Sequence, residues 1–161
     1  MVKKITRCAI IVAIDIVCSY ALKFFPNVKP DTTMIIILAV YYTLGEAILV
    51  SIVTVLLRGF LFGIGTFLPF QLLAWVLIAC IARLLRNELK DSKFLFILYA
   101  AISGYVFGFI VSLDTLFLYG FKFFIVYYTN GLLFDTFHLV GNVIFSSILL
   151  NTVLTAKNAS E

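Results

Sequence analysis

Charge is scarce in this chain. Asp, Glu, Lys and Arg together make up 12% of its 161 residues, about half of the ~25% that soluble domains carry. Hydrophobic residues make up 63%. A soluble fold of this size could not hide that much apolar surface, so a soluble globular domain is excluded. Histidine and tryptophan occur once each and proline three times. The three cysteines, Cys8, Cys18 and Cys80, lie inside apolar runs without metal-ligand spacing. They read as small reduced thiols, not as a disulfide framework or a metal centre. No Walker-type loop is present, and Gly63 and Gly65 offer turn freedom with no phosphate-binding pattern around them. No motif calls for a cofactor or a metal. The net charge of +4 sits beside apolar runs, where cations anchor helix ends and set orientation, and it is not a nucleic-acid footprint.

What is present is a series of long apolar segments with a mean hydropathy of +1.15. They predict an all-α polytopic membrane protein, one domain over 1–161, in the cell membrane. Lys3, Lys4 and Arg7 precede the first run, 8–25, and favour a cytoplasmic N-terminus. That run carries Asp15 and lacks an A-x-A-like cleavage site, so it is expected to stay as a helix. Pro26 and Pro30 flank polar residues and make an outer loop. Arg83, Arg86, Lys90 and Lys93 form the densest basic cluster and belong on the same side as the N-terminus. Two points on one side require an even number of crossings between them. The run 33–57 therefore divides at Gly45-Glu46 into two short helices, 33–44 and 47–61. A fourth helix over 69–85 starts at Pro69, with Thr66 as a possible cap. A fifth crosses at 94–113. The aromatic-rich 114–130 reads as an external loop or an interfacial helix, and a last helix covers 130–153. The expectation is a six-helix bundle with both termini cytoplasmic.

The informative feature is a polar stripe inside the last run. At helical spacing Asp135, His138 and Asn142 share one face. A span cannot turn such a stripe to lipid without a penalty of a few kcal/mol per group, roughly. It must face other helices or a wet cavity. The predicted topology places Gln71 and Trp75 in the outer half of the fourth helix, near Asp135 and His138, beneath loops bearing Asn27, Lys29, Asp31 and Thr66. Gln71 and Trp75 offer an amide and a stacking face. Asp15 needs a partner or water. Arg58 is expected to snorkel to headgroups.

These residues resemble the substrate-binding membrane subunits (S components) of energy-coupling factor (ECF) vitamin importers. The resemblance spans nearly the whole chain. It rests on Phe25-Pro26-Asn27-Val28-Lys29-Pro30, on Leu44-Gly45-Glu46, on the run from Phe62 to Gln71 leading into Ala74-Trp75, and on Phe134-Asp135-x-x-His138-x-x-Gly141-Asn142. One departure is Phe67-Leu68-Pro69, where relatives often carry Trp-Thr-Pro. The resemblance implies a six-helix bundle that holds a vitamin near its outer face. The candidate substrate contacts in this chain are Asn27, Lys29, Thr66, Gln71, Trp75, Asp135 and His138. The resemblance also implies that Ala9 and Ala13, a small-xxx-small pair, dock onto a coupling transmembrane subunit that works with two ATPase subunits. The loop pattern looks most like members assigned to cobalamin or its precursors, such as the lower-ligand nucleoside. The chain itself would then not be an enzyme. The rival is an integral-membrane hydrolase using His138 and Asp135 as base and orienter. Its weakness is the nucleophile, since Ser103, Ser112, Ser146 and Ser147 sit in no recognisable turn.

Overall fold

The computed structural model describes residues 2–158. It is all-helical, with seven helices and no strand among the described residues: α1 (Val2–Ala21), α2 (Asp31–Tyr41), α3 (Leu44–Phe62), α4 (Leu68–Leu84), α5 (Arg86–Asp91), α6 (Lys93–Tyr119) and α7 (Phe121–Asn158). Three of them, α3, α6 and the 121–155 part of α7, are long and apolar enough to cross a membrane. The helices α2 and α4 are apolar but shorter. The chain end expected on the cytoplasmic side, 159–161, lies outside the described residues.

The bundle is built around α2. Its residues 31–40 are all buried, and it packs on α3, α4, α5, α6 and α7. A helix that is apolar on every side belongs in a core. Because α2 touches no lipid, its eleven residues need not match the thickness of a bilayer. This accounts for the short second element that the sequence reading could only divide by charge parity. The division itself falls earlier than expected. The turn is at Tyr42-Thr43, not Gly45-Glu46, because Thr43 caps α3 by accepting from the Glu46 amide. The signal was a Thr-x-x-Glu start pattern, and Gly45 lies in the first turn of the helix.

The first helix spans Val2–Ala21 and not 8–25, and two further boundaries differ from expectation. The fourth helix starts at Leu68 with Phe67 before it, and Thr66 does not cap it. The stretch 114–130 is neither a loop nor a separate interfacial helix. The helix α6 runs through it to Tyr119, the chain reverses at Gly120 with φ +82°, and α7 begins at once. A left-handed φ is open to glycine at little cost, which allows a reversal of one residue. The small Gly104 then lets α6 and α7 approach closely, since a Cβ there would lie 2.8 Å from the Leu139 amide nitrogen.

Ion pairs and caps define the two ends of the bundle. At one end Arg7 pairs with Glu46 at 2.8 Å, Arg83 donates to the Ala39 and Tyr42 carbonyls at the end of α2, and Lys93 reaches Asn151. A cation at a helix C-terminus satisfies carbonyls left without a partner and suits the helix dipole. At the other end lie the 22–30 and 63–67 loops and the Gly120 turn. The helices α1 and α3 run parallel, pinned by Arg7–Glu46 and Asp15–Arg58.

The core is apolar, but α7 and α1 turn their polar residues toward it and apolar residues outward. On α7, Asp135, His138, Asn142 and Ser146 are buried, while Leu133, Phe134, Phe137, Val140, Ile144 and Ile148 are exposed. On α1, Cys8, Val12, Asp15 and Ser19 face inward and Ile10, Ile14 and Val17 outward. Polar-in and apolar-out is the pattern of helices that meet lipid.

Candidate functional site

Two polar centres lie toward the end that carries the 22–30 loop. The first is a buried charge network. Arg58 of α3 donates to Asp15 of α1 at 2.9 Å, to Ser19 at 2.8 Å, and to Asp31 at the start of α2 at 2.8 Å. It does not snorkel to headgroups as expected. Two carboxylates hold it inside, and it is also the partner that Asp15 required. Lys29, on the preceding loop, lies in the field of the same groups. Burial and then the Arg58 guanidinium push its ammonium down from its usual value, and Asp31 and Asp15 oppose that shift.

From Asp31 the network continues inward. One Asp31 carboxylate oxygen accepts from the Thr32 amide at 2.7 Å and lies 4.0 Å from His138 Nε2. The Thr32 hydroxyl is 3.0 Å from that same nitrogen and accepts from Trp75 Nε1 at 3.1 Å. His138 Nδ1 is buried without a hydrogen-bond partner among the described residues. Deeper on α7, the Asn142 side-chain amide donates to the Ala100 carbonyl, and the Asn142 backbone carbonyl accepts from the Thr33 hydroxyl. Asn142 thus joins α2, α6 and α7, as an interhelical hydrogen bond in a membrane bundle does.

The second centre is a cavity of about 440 Å³ between the 22–30 loop, α4, α6 and α7. Its polar lining is Asn27, Gln71, Ser112, Tyr127, Asn130 and Asp135, and its aromatic walls are Phe67, Phe107, Tyr127 and Phe134. Asn27 sits in a left-handed turn at φ 57°, a conformation that asparagine tolerates better than most residues. Its amide donates to the Phe134 carbonyl and ties the loop to α7. The Asp135 carboxylate lies over Gly108, where any Cβ would overlap it. The glycine makes room for the carboxylate at the cavity wall. Asp135 is 5% exposed and has no ion pair or side-chain hydrogen bond among the described residues.

The seven expected site residues therefore separate. Asn27, Gln71 and Asp135 line the cavity; Lys29, Thr66, Trp75 and His138 do not. Thr66 is exposed and donates to Asp114. Trp75 is fully buried. Asp135 and His138 are not a pair, although both face inward from α7; His138 turns to Thr32 and Asp31 instead. Phe107 stands between the two centres. It lines the cavity, packs at 5.3 Å against the Trp75 ring and meets His138 edge-on at 5.0 Å. Sequence reasoning did not single out Phe107, Tyr127 or Gly108. In a chain with 17 Phe, 8 Tyr and 9 Gly, nothing in the local pattern distinguishes them. Ala9 and Ala13 are exposed on α1, a helix that packs mainly on α3. Comparison with protein-family models, with curated proteins and with solved structures finds no match to this chain.

Proposed function

We propose that this chain is the solute-binding membrane subunit of an importer of the energy-coupling factor type, a multi-pass protein of the cell membrane with six passes and both termini cytoplasmic. The observation that carries the reading is the cavity of about 440 Å³, with one buried carboxylate lacking a partner among the described residues and three side-chain amides, Asn27, Gln71 and Asn130, on its wall. Cavities of about 300–1,000 Å³ with apolar walls and a few converging polar groups are typical of small-molecule sites. A buried carboxylate in a membrane helix is costly unless something offsets it, and a bound solute would supply the missing partner.

The orientation follows from charge. Arg83, Arg86, Lys90 and Lys93 gather near the bundle end that also holds Arg7, and basic clusters mark the cytoplasmic side. The cavity then opens toward the outside. The chain has no ATP-binding motif, so energy would come from two ATPase subunits through a coupling membrane subunit docked on the exposed Ala9/Ala13 face of α1. The resemblance points to a water-soluble vitamin. A complete cobalamin is too large for about 440 Å³, which favours a smaller precursor. The hydrolase alternative needs His138 and Asp135 as a catalytic pair, and the two are not bonded to each other.

Thermal unfolding of the detergent-purified chain with a panel of water-soluble vitamins and cobalamin precursors tests the reading. A ligand at 100 times its Kd stabilises by about 2.7 kcal/mol. One panel member should raise the unfolding temperature, and Gln71→Ala and Asn27→Ala should shrink the shift. A panel with no active member would overturn the proposal.

A further inference from the structure

The charge balance around the cavity narrows what it can hold, and this rests on the solute-binding reading above. Among the described residues no Lys, Arg or His lines the cavity. The nearby cation Arg58 is engaged by Asp15 and Asp31, and Lys29 lies in the field of the same two carboxylates. Among the described residues the only ionisable lining groups are Asp135 and Tyr127, and Asp135 is buried with no partner among them. Asp114, held by Thr66, adds a second negative charge in the field of Tyr127. An anionic solute would meet an uncompensated carboxylate at low dielectric, and a neutral one would leave that carboxylate unpaired. The remaining walls are the faces and edges of Phe67, Phe107, Tyr127 and Phe134. Aromatic walls with one carboxylate are the surroundings in which an organic cation is stabilised, by cation–π attraction and by ion pairing.

We infer that the cavity binds an organic monocation, an ammonium or a cationic nitrogen heterocycle, with its charge set against Asp135 and its apolar body against Phe67, Phe107, Tyr127 and Phe134. A small inorganic cation would need several oxygen ligands in a close shell, and no cluster of three or more metal-ligating side chains occurs among the described residues. Selection would therefore act on the shape of the cation as well as its sign.

The test uses the full chain in detergent and four probes: choline, benzyltrimethylammonium, neohexyl alcohol (the neutral carbon isostere of choline) and benzoate. Choline and benzyltrimethylammonium should raise the unfolding temperature, the second more strongly because it adds a ring, while neohexyl alcohol and benzoate should leave it unchanged. Asp135→Asn should weaken binding of both cations by about tenfold or more, the loss of one charged partner. Gly108→Ala, which displaces the carboxylate, should do the same. Equal shifts from choline and neohexyl alcohol would overturn the inference without any variant. So would no shift from either cation, or an equal shift from sodium or calcium chloride alone. If a neutral or anionic vitamin instead binds through Asn27 and Gln71, the importer reading stands and the cation inference falls. If the cations bind and no vitamin does, the reverse holds.

Discussion

Asp31 and Asp135 are both buried carboxylates in the same protein, and their surroundings differ. Asp31 sits at the start of α2 with an arginine at 2.8 Å and a backbone amide at 2.7 Å. Asp135 sits in the first half of α7, over a glycine and beside an open cavity, with no partner among the described residues. A satisfied buried charge joins helices. An unsatisfied one carries a free-energy cost that folding alone does not relieve, and such groups gather at sites awaiting a ligand. The first centre fastens α1 and α3 to α2, and the second keeps its interaction capacity open.

Removing partners is the direct way to break this comparison. The largest effect belongs to Arg58. Arg58→Met leaves Asp15 and Asp31 buried without their ion-pair partner and should lower stability by about 3–5 kcal/mol, read as a loss of unfolding temperature in detergent. Combining it with Asp15→Asn and Asp31→Asn should recover much of that loss. An additive triple variant would show that the three residues do not act as one unit.

Phe107→Ala should cost a comparable amount, about 3–5 kcal/mol. It has a second consequence, because it removes the ring between the cavity and the Trp75–Thr32–His138 chain. In that background His138→Ala should alter solute affinity, whereas in the parent protein it should not. Binding isotherms for the four variants measure this coupling, and equal effects in both backgrounds would refute the partition.

Trp75→Phe keeps the ring against Phe107 and removes only the hydrogen bond to Thr32. It should cost about 1 kcal/mol, with solute affinity changed little. The smallest effect, and the sharpest contrast, is Asp135→Asn. Removing an unpaired charge should leave the ligand-free protein as stable as before or slightly more so, while Asp31→Asn should destabilise it. Equal losses of unfolding temperature in the two variants would dissolve the distinction between the centres.

The helical class, the membrane setting and the inward stripe on α7 were legible because each depends on local chemistry repeated along the chain. Apolar runs of this length and a period near 3.6 have few other solutions. Pro26, Pro30 and Gly120 mark reversals, although the aromatic residues around Gly120 suggested a loop where helix continues on both sides. The Thr43–Glu46 cap was present in the letters, and its neighbour Gly45 drew the boundary three residues too far along.

The pairing of charges was not legible. Asp15 and Arg58 are 43 positions apart, and Asp31 and His138 are 107 apart. No local pattern states that a parallel α1–α3 contact turns Arg58 inward and away from headgroups. Asp135 and His138 lie three residues apart on one helix and still enter different surroundings, because Phe107 from α6 stands beside His138 at the cavity wall. Sequence alone determined which groups had to be kept from lipid, since that penalty is intrinsic to each residue. Only the tertiary structure decided which of them are paired and which one is left facing a void, because that depends on how helices distant in the chain pack against one another.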